Sequence, residues 1–271
     1  MTFSTKFVLL QQEAYLARGS LSVGLTQLRN AAFPDKATFY SGFFNTAIAL
    51  ERVMKLIVVT DHMIRNSYTT PTKAQLKAYG HDLVSLYTSC VTAAATHGVN
   101  NVTMPQPLTP EREILEFFSE FATHARYYNL DALSTLPQNY AEPLARWERV
   151  LNSVLATDAP PSKVNELRAQ ASALHSVMKD SIHAIQHGMD GSLLPLEQVF
   201  SLPMMHSLAT PYAMVRLFNI LTPLLETVSK LGHIGFYGSP RTSGPHVPVL
   251  SEFFVHFGGS AAEIRRKKRW P

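Results

Sequence analysis

His81 and Asp82 stand side by side after Gly80, and a histidine oriented by a carboxylate is a common way to build a general base. That chemistry requires the pair to face a cleft. If Gly80 instead closes one helix, Asp82 lies at the positive start of the next and His81 packs beside it. The structural role is the simpler reading. Glu51 and Arg126 complete a candidate polar cluster with this pair, because Arg126 can meet Glu51 or Asp82 across a bundle of helices, or hold a phosphate. The surrounding Arg126-Tyr127-Tyr128-Asn129-Leu130-Asp131 reads as a helix end, with Asn129 suited to a left-handed cap and Asp131 to starting the next turn.

Two further groupings have chemical potential. Asp180, His183 and His187 are three and four residues apart, a spacing that aligns them on one face of a helix and lets two imidazoles share a divalent ion. Their face lies opposite the apolar seam through Leu174 and Met178, and no other element advertises a missing ligand. A solvated polar face is the default, so no metal and no cofactor is expected, and a metal-dependent helical enzyme is a subordinate reading. Arg265, Arg266, Lys267, Lys268 and Arg269 are contiguous cations followed by Trp270. Such a run repels itself into an extended form and suits phosphates, acidic lipids or an acidic protein surface, while Trp270 can stack on a base. A solubilising tail is the competing reading. No Gly-x-Ser-x-Gly elbow, Gly-Lys-Ser/Thr phosphate loop or Gly-x-Gly-x-x-Gly turn occurs.

The elements that must position these groups read as helices. Leu10, Ala14, Ala17, Leu21, Leu25 and Leu28 step by three and four, as do Tyr40, Phe43, Ala47, Leu50, Met54 and Ile57. Val164, Leu167, Ala171, Leu174, Met178, Ile182 and Ile185 form a third seam. Thr70-Pro71, Thr109-Pro110, Thr210-Pro211 and Thr222-Pro223 read as helix starts, because threonine accepts from a first-turn N–H and proline lacks the donor that would go unused. Gly98 to Pro107, Asp158 to Ser162 and Gly188 to Gly191 read as breaks. The Gly, Pro and Ser content from Gly232 to Pro248 predicts irregular chain, and Val249 to Phe257 is either a short strand or a helical turn. Gly258-Gly259-Ser260 is expected to free the basic end. The predicted division is a bundle over 1–156, a second helical layer over 163–231 and an irregular basic tail over 232–271.

Composition narrows the class. Of 271 residues, 46% are hydrophobic and only 16% charged, so part of the surface is expected to be covered by another copy or another protein. The net charge is +4, and the five terminal cations exceed it, leaving the remaining chain at −1. A phosphate-tracking patch on the body is therefore not expected from charge. Cys90 is the sole cysteine, which fits a reducing cytoplasm and excludes an internal disulfide. The apolar run Phe7 to Leu10 is too short for a signal-peptide core. Tyr212 to Leu231 contains Arg216, Pro223, Glu226 and Lys230, so a membrane span is not expected there.

Phe43-Phe44-Asn45, Ala47, Glu51-Arg52 and Lys55-Leu56, followed by Gly80-His81-Asp82-Leu83 and Leu86, resemble the second and third helices of HEPN (higher eukaryotes and prokaryotes nucleotide-binding) proteins. The resemblance covers about Thr38 to Leu130. It implies an antiparallel helical bundle, dimerisation through helices, and a place among bacterial defence and toxin–antitoxin components that range from RNA-cleaving toxins to noncatalytic modules. Cleaving members carry an arginine followed four to six residues later by a histidine. No histidine follows Arg126 at that distance. Arg241 and His246 have the separation, but Thr242-Ser243-Gly244-Pro245 between them cannot hold a helix. The expected protein is thus an all-α, self-associating, cytoplasmic and noncatalytic binding or regulatory component, with RNA or DNA contacts through its basic end. A ribonuclease with a rearranged site around Arg126 and His81 is the alternative.

Overall fold

The computed structural model describes residues 3–134, 141–181, 185–240 and 244–271, and among them it is all-helical, with no strand. Helix α1 (Thr5–Asn30) starts where Ser4 accepts from the Phe7 amide, and α2 (Lys36–Arg65) where Asp35 accepts from the Thr38 amide at 3.1 Å. These caps satisfy first-turn donors that have no partner within the helix. Leu10, Ala14, Ala17, Leu21, Leu25 and Leu28 are buried, as the seam on α1 requires. The two helices form an antiparallel hairpin, and glycine sets how closely they cross. A Cβ at Gly24 would lie 2.5 Å from Thr46 Oγ1 and 2.6 Å from the Thr46 amide nitrogen, and one at Gly42 would lie 2.9 Å from Leu28 Cδ2.

Helix α2 is covered on several sides, by α1, by α4 (Leu83–Thr96), by α5 (Pro110–Thr123) and by α9 (Leu196–Tyr237). Phe43 ties α2 to α5 and α7, with its ring 4.7 Å from Phe117, 5.7 Å from Phe121 and 5.4 Å from Trp147 on α7 (Pro143–Asp158). Short helices α3 (Lys73–Ala78) and α6 (Tyr128–Asp131) fill connections, and α8 (Pro161–Met178) lies on α9 with only Ala171 buried.

Several sequence expectations change here. Thr109 caps α5 as expected, but α3 is capped by Thr72 rather than Thr70. Thr210-Pro211 and Thr222-Pro223 start nothing: Pro203, Pro211 and Pro223 all lie inside the 42-residue α9. An interior proline costs about 3 kcal/mol. Burial of Ala209, Ala213, Met214, Leu217, Phe218, Leu221, Leu224, Val228 and Leu231 offsets that cost, at roughly 1.5–3 kcal/mol for each large side chain. Because α9 packs directly on α2, α5 and α7, it belongs to the core itself, and one hydrophobic cluster runs from Leu10 to Trp270 across all three predicted segments. By length and composition α9 could cross a membrane, yet more than half of its apolar window is buried against protein. Helix α9 also continues through Gly232 and Gly235 to Tyr237, because these glycines let Leu250 and Val247 lie against its backbone. Val249 to Phe257 contains a 3-10 turn over Leu250–Phe253.

The two α1 glycines make opposite predictions. Gly24→Val forces atoms into Thr46 and is expected to lower stability by about 1–3 kcal/mol. Gly19 is exposed in mid-helix with nothing within 4 Å of an added Cβ, so Gly19→Ala is expected to raise stability by about 0.5–1 kcal/mol. Urea denaturation of both variants checks the pair.

Candidate functional site

Gly80 takes a left-handed φ of 61° after α3, and Asp82 then caps α4. Asp82 Oδ1 accepts from the Val84 and Ser85 amides at 3.0 and 3.2 Å and from Ser119 Oγ at 2.7 Å, while Oδ2 accepts from Ser85 Oγ at 2.7 Å. Burial works against ionisation of this carboxyl, but the hydrogen bonds from Ser119 and Ser85 prevail and hold it below its ordinary range. Asp82 is committed to the helix start, and its bonds go to Val84, Ser85 and Ser119 rather than to His81.

His81 turns instead to Glu51. Its Nδ1 lies 3.0 Å from Glu51 Oε1, which also accepts from Lys55 Nζ at 2.7 Å. Burial raises the cost of the Glu51 charge, and the bonds from Lys55 and His81 more than compensate, so the carboxyl again titrates below its usual range. The imidazole is 66% exposed, so the carboxylate–imidazole pair stands in solvent rather than in a cleft. Arg126 does not join it. Its Nη2 donates to the Ala122 carbonyl and its guanidinium lies 5.9 Å from the centroid of Phe44, seven residues and about 10 Å along α2 from Glu51. The Arg126–Asp131 stretch spans a 3-10 turn and α6, and Asn129 lies within α6 instead of capping a helix.

The metal-like set is not held on one helix. Helix α8 ends at Met178, so Asp180 falls in a turn, and His187 bridges to Leu193 in a separate reversal. His183 lies outside the described residues, as does Arg241. Among the described residues no group of three metal-type side chains converges.

The basic end is docked, contrary to the expectation of a freed, extended tail. Ser260 and Glu263 form a capping box that starts α10 (Ala261–Arg266), a Ser-x-x-Glu signal present in the sequence. The chain after it is bonded to a polar stripe on α1. Arg29 Nη2 donates to the Arg265 carbonyl at 3.1 Å, Asn30 Nδ2 to the Lys268 carbonyl at 2.7 Å and Ser22 Oγ to the Trp270 carbonyl at 2.9 Å, and the Trp270 amide donates to Thr26 Oγ1 at 3.0 Å. Trp270 is 3% exposed and stacks on Phe218 of α9 at 5.8 Å. Packing of this indole overcomes mutual repulsion among the cations, which is weak between solvated side chains. Lys267 donates to the His256 carbonyl and lies over Trp270. Arg265, Arg266, Lys268 and Arg269 are exposed, with Arg265 over the Tyr212 ring at 5.4 Å.

Two polar networks escaped the sequence reading. Asp61, 5% exposed on α2, accepts from Arg65 Nε and Nη2 at 3.0 and 2.6 Å and lies 2.9 Å from His97 Nε2, tying the end of α4 to α2. The i,i+4 Asp–Arg pair is readable in the sequence, but the partner 36 residues away is not. Arg216 of α9 bonds Glu111 at 2.8 Å and Asp158, joining the start of α5 to the end of α7. Both networks join helix ends, which is structural work.

Comparison with protein-family models, with curated proteins and with solved structures finds no match to this chain.

Two outcomes follow from the geometry. Because the folded values of Asp82 and Glu51 are depressed, their stabilisation is complete above the ordinary carboxylate value of about 4 and is lost as pH falls through the folded values. Asp82→Asn keeps a capping side chain yet removes one titrating group, so its urea midpoint is expected to fall less steeply on acidification. Trp270→Ala removes the anchor of the basic run, and limited trypsin digestion is then expected to cut at 265–269 at least tenfold faster, at the order of magnitude expected for losing a buried aromatic.

Proposed function

We propose that this chain is a noncatalytic, HEPN-like helical binding protein that contacts RNA phosphates through Arg265, Arg266, Lys268 and Arg269. The observation that supports the contact is the docked basic run: four exposed cations on a segment fixed by backbone bonds to α1 and by the buried Trp270. A fixed row loses less side-chain and backbone freedom on meeting a polyanion than a mobile tail does. The noncatalytic assignment is supported by the state of the polar candidates. Asp82 is consumed as a cap, Arg126 holds a carbonyl and an aromatic ring, and the His81–Glu51 pair lies open to water. The biological setting we infer is a cytoplasmic regulatory component of a bacterial stress, toxin–antitoxin or phage-defence system. Self-association is supported by the low charge content and by Leu174 and Val177 of α8, which are 39% and 79% exposed.

Single-stranded RNA retained on a filter at low salt is the expected result, without strand cleavage. Four phosphate contacts give a slope of log affinity on log salt of about −3. Replacing Arg265, Arg266, Lys268 and Arg269 together by Gln is expected to abolish retention and leave the unfolding midpoint nearly unchanged. Absence of retention by the native protein at low salt overturns the RNA assignment, and a strict monomer by light scattering overturns the self-association.

A further inference from the structure

A groove of about 330 Å³ lies between the first turns of α1 and the last turns of α2, beneath residues 70–76. Leu9, Leu10, Leu56, Val59, Met63 and Leu76 line it, so its walls are almost wholly apolar. The antiparallel pairing of α1 and α2 gives it a direction, with Lys6 at one end and Glu13 at the other, seven residues and about 10 Å apart.

The cover of this groove is built unlike the rest of the fold. Ser67 and Tyr68 follow α2 with positive φ values of 49° and 63°, a conformation that non-glycine residues seldom adopt. Tyr68 is buried, and its carbonyl accepts from Lys6 Nζ at 2.7 Å, which fixes the turn against α1. Beyond it, α3 has no buried residue, and Leu76 is 45% exposed above the groove. The cover is thus anchored at one edge and lightly held at the other.

Charge is also uneven along the groove. Glu13 is met by Arg52 at 2.6 Å, and Lys55 by Glu51 at 2.7 Å. Lys6 is held by a carbonyl, and among the described residues no carboxylate pairs with it. The Lys6 end of the groove therefore carries a cation with no carboxylate partner, Thr70 also lines the groove, and the charges of Glu13 and Lys55 are each met by an ion-pair partner. A helix from a partner, about 10 Å across, exceeds the available volume over that length. A single alkyl chain fits.

We propose that this groove is a binding site for a small amphiphile of the medium-chain fatty-acid class, with its carboxylate at Lys6 and Thr70 and its chain directed toward Leu56. The volume falls at the lower end of the range for small-molecule sites, and the lining has the usual composition of apolar wall with few polar groups at one place. Occupation would draw Leu76 and α3 down onto the chain.

Titration of the full protein with hexanoate, octanoate and decanoate, each below its micelle concentration, tests the site. Saturable one-to-one binding is expected, with affinity rising roughly fourfold per methylene until the groove is filled. Lys6→Gln is expected to weaken decanoate about tenfold and to leave decanol unaffected. Leu9→Trp fills the groove from a position that is 60% exposed, and is expected to leave the unfolding midpoint nearly unchanged and to abolish binding of both probes. No saturable decanoate binding, affinity independent of chain length, or unaltered binding in Leu9→Trp each overturns the proposal. So does decanoate displaced by rising protein concentration, which would assign the groove to a second copy.

Discussion

Helix α2 has too little polar surface to stand at the edge of a protein. Residues from Phe39 to Met63 are buried over more than half of the helix's circumference, including Phe43, Thr46, Ala47, Ala49, Leu50, Val53, Leu56, Ile57 and Val58, while Phe44, Ile48, Glu51, Arg52, Lys55 and Val59 make up the face left partly open. A helix that is apolar on most of its circumference must be surrounded. The rest of the architecture answers that demand. Helix α1 closes one side at glycine distance, α4 and α5 close a second, and α9 closes a third. Several of the chain's few charges then tie neighbouring elements together: Asp61 bonds His97, Asp82 accepts from Ser119 of α5, and Arg216 bonds Glu111.

This arrangement explains why the polar candidates lack a common site. Glu51 meets His81 on the partly open face of α2, Asp82 bonds Ser119 of α5, and Arg126 lies over Phe44, about two turns of α2 from Glu51. A catalytic constellation requires groups converging on one reacting atom. Here each group is bonded to the element that it holds. The described surface also carries the docked basic run and exposed apolar side chains on α1 and α8.

The local rules of the sequence carried the reading as far as single helices. The seams of α1 and α2, the cap at Thr109 and the left-handed Gly80 all follow from period and residue type. The long-range balance did not. Thr210-Pro211 and Thr222-Pro223 read as helix starts, yet tertiary burial outweighs the local cost of these prolines and one helix runs through both, and through Pro203 as well. The α8 seam has the right period, but only Ala171 is fully covered, since periodicity identifies an apolar face without supplying its partner. Five adjacent cations predict a solvated tail. The signals for docking are the capping box at Ser260 and Glu263 and the polar stripe Ser22, Thr26, Arg29 and Asn30 on α1 that receives the run, while Trp270, which reads as a base-stacking ring, is its buried anchor.

The bonds of Ser22 and Arg29 to the docked segment join residues 248 and 236 positions apart in the chain, whereas α1 and α2 pair across a connection of a few residues. Closing a long loop has a larger entropic cost than closing a short one, and distant contacts delay folding. The helical hairpin is therefore free to assemble early, and the cationic ridge is complete only when both far parts of the polypeptide are in place. In a partly folded form the same five cations remain a mobile run, without the fixed spacing that docking on α1 gives them.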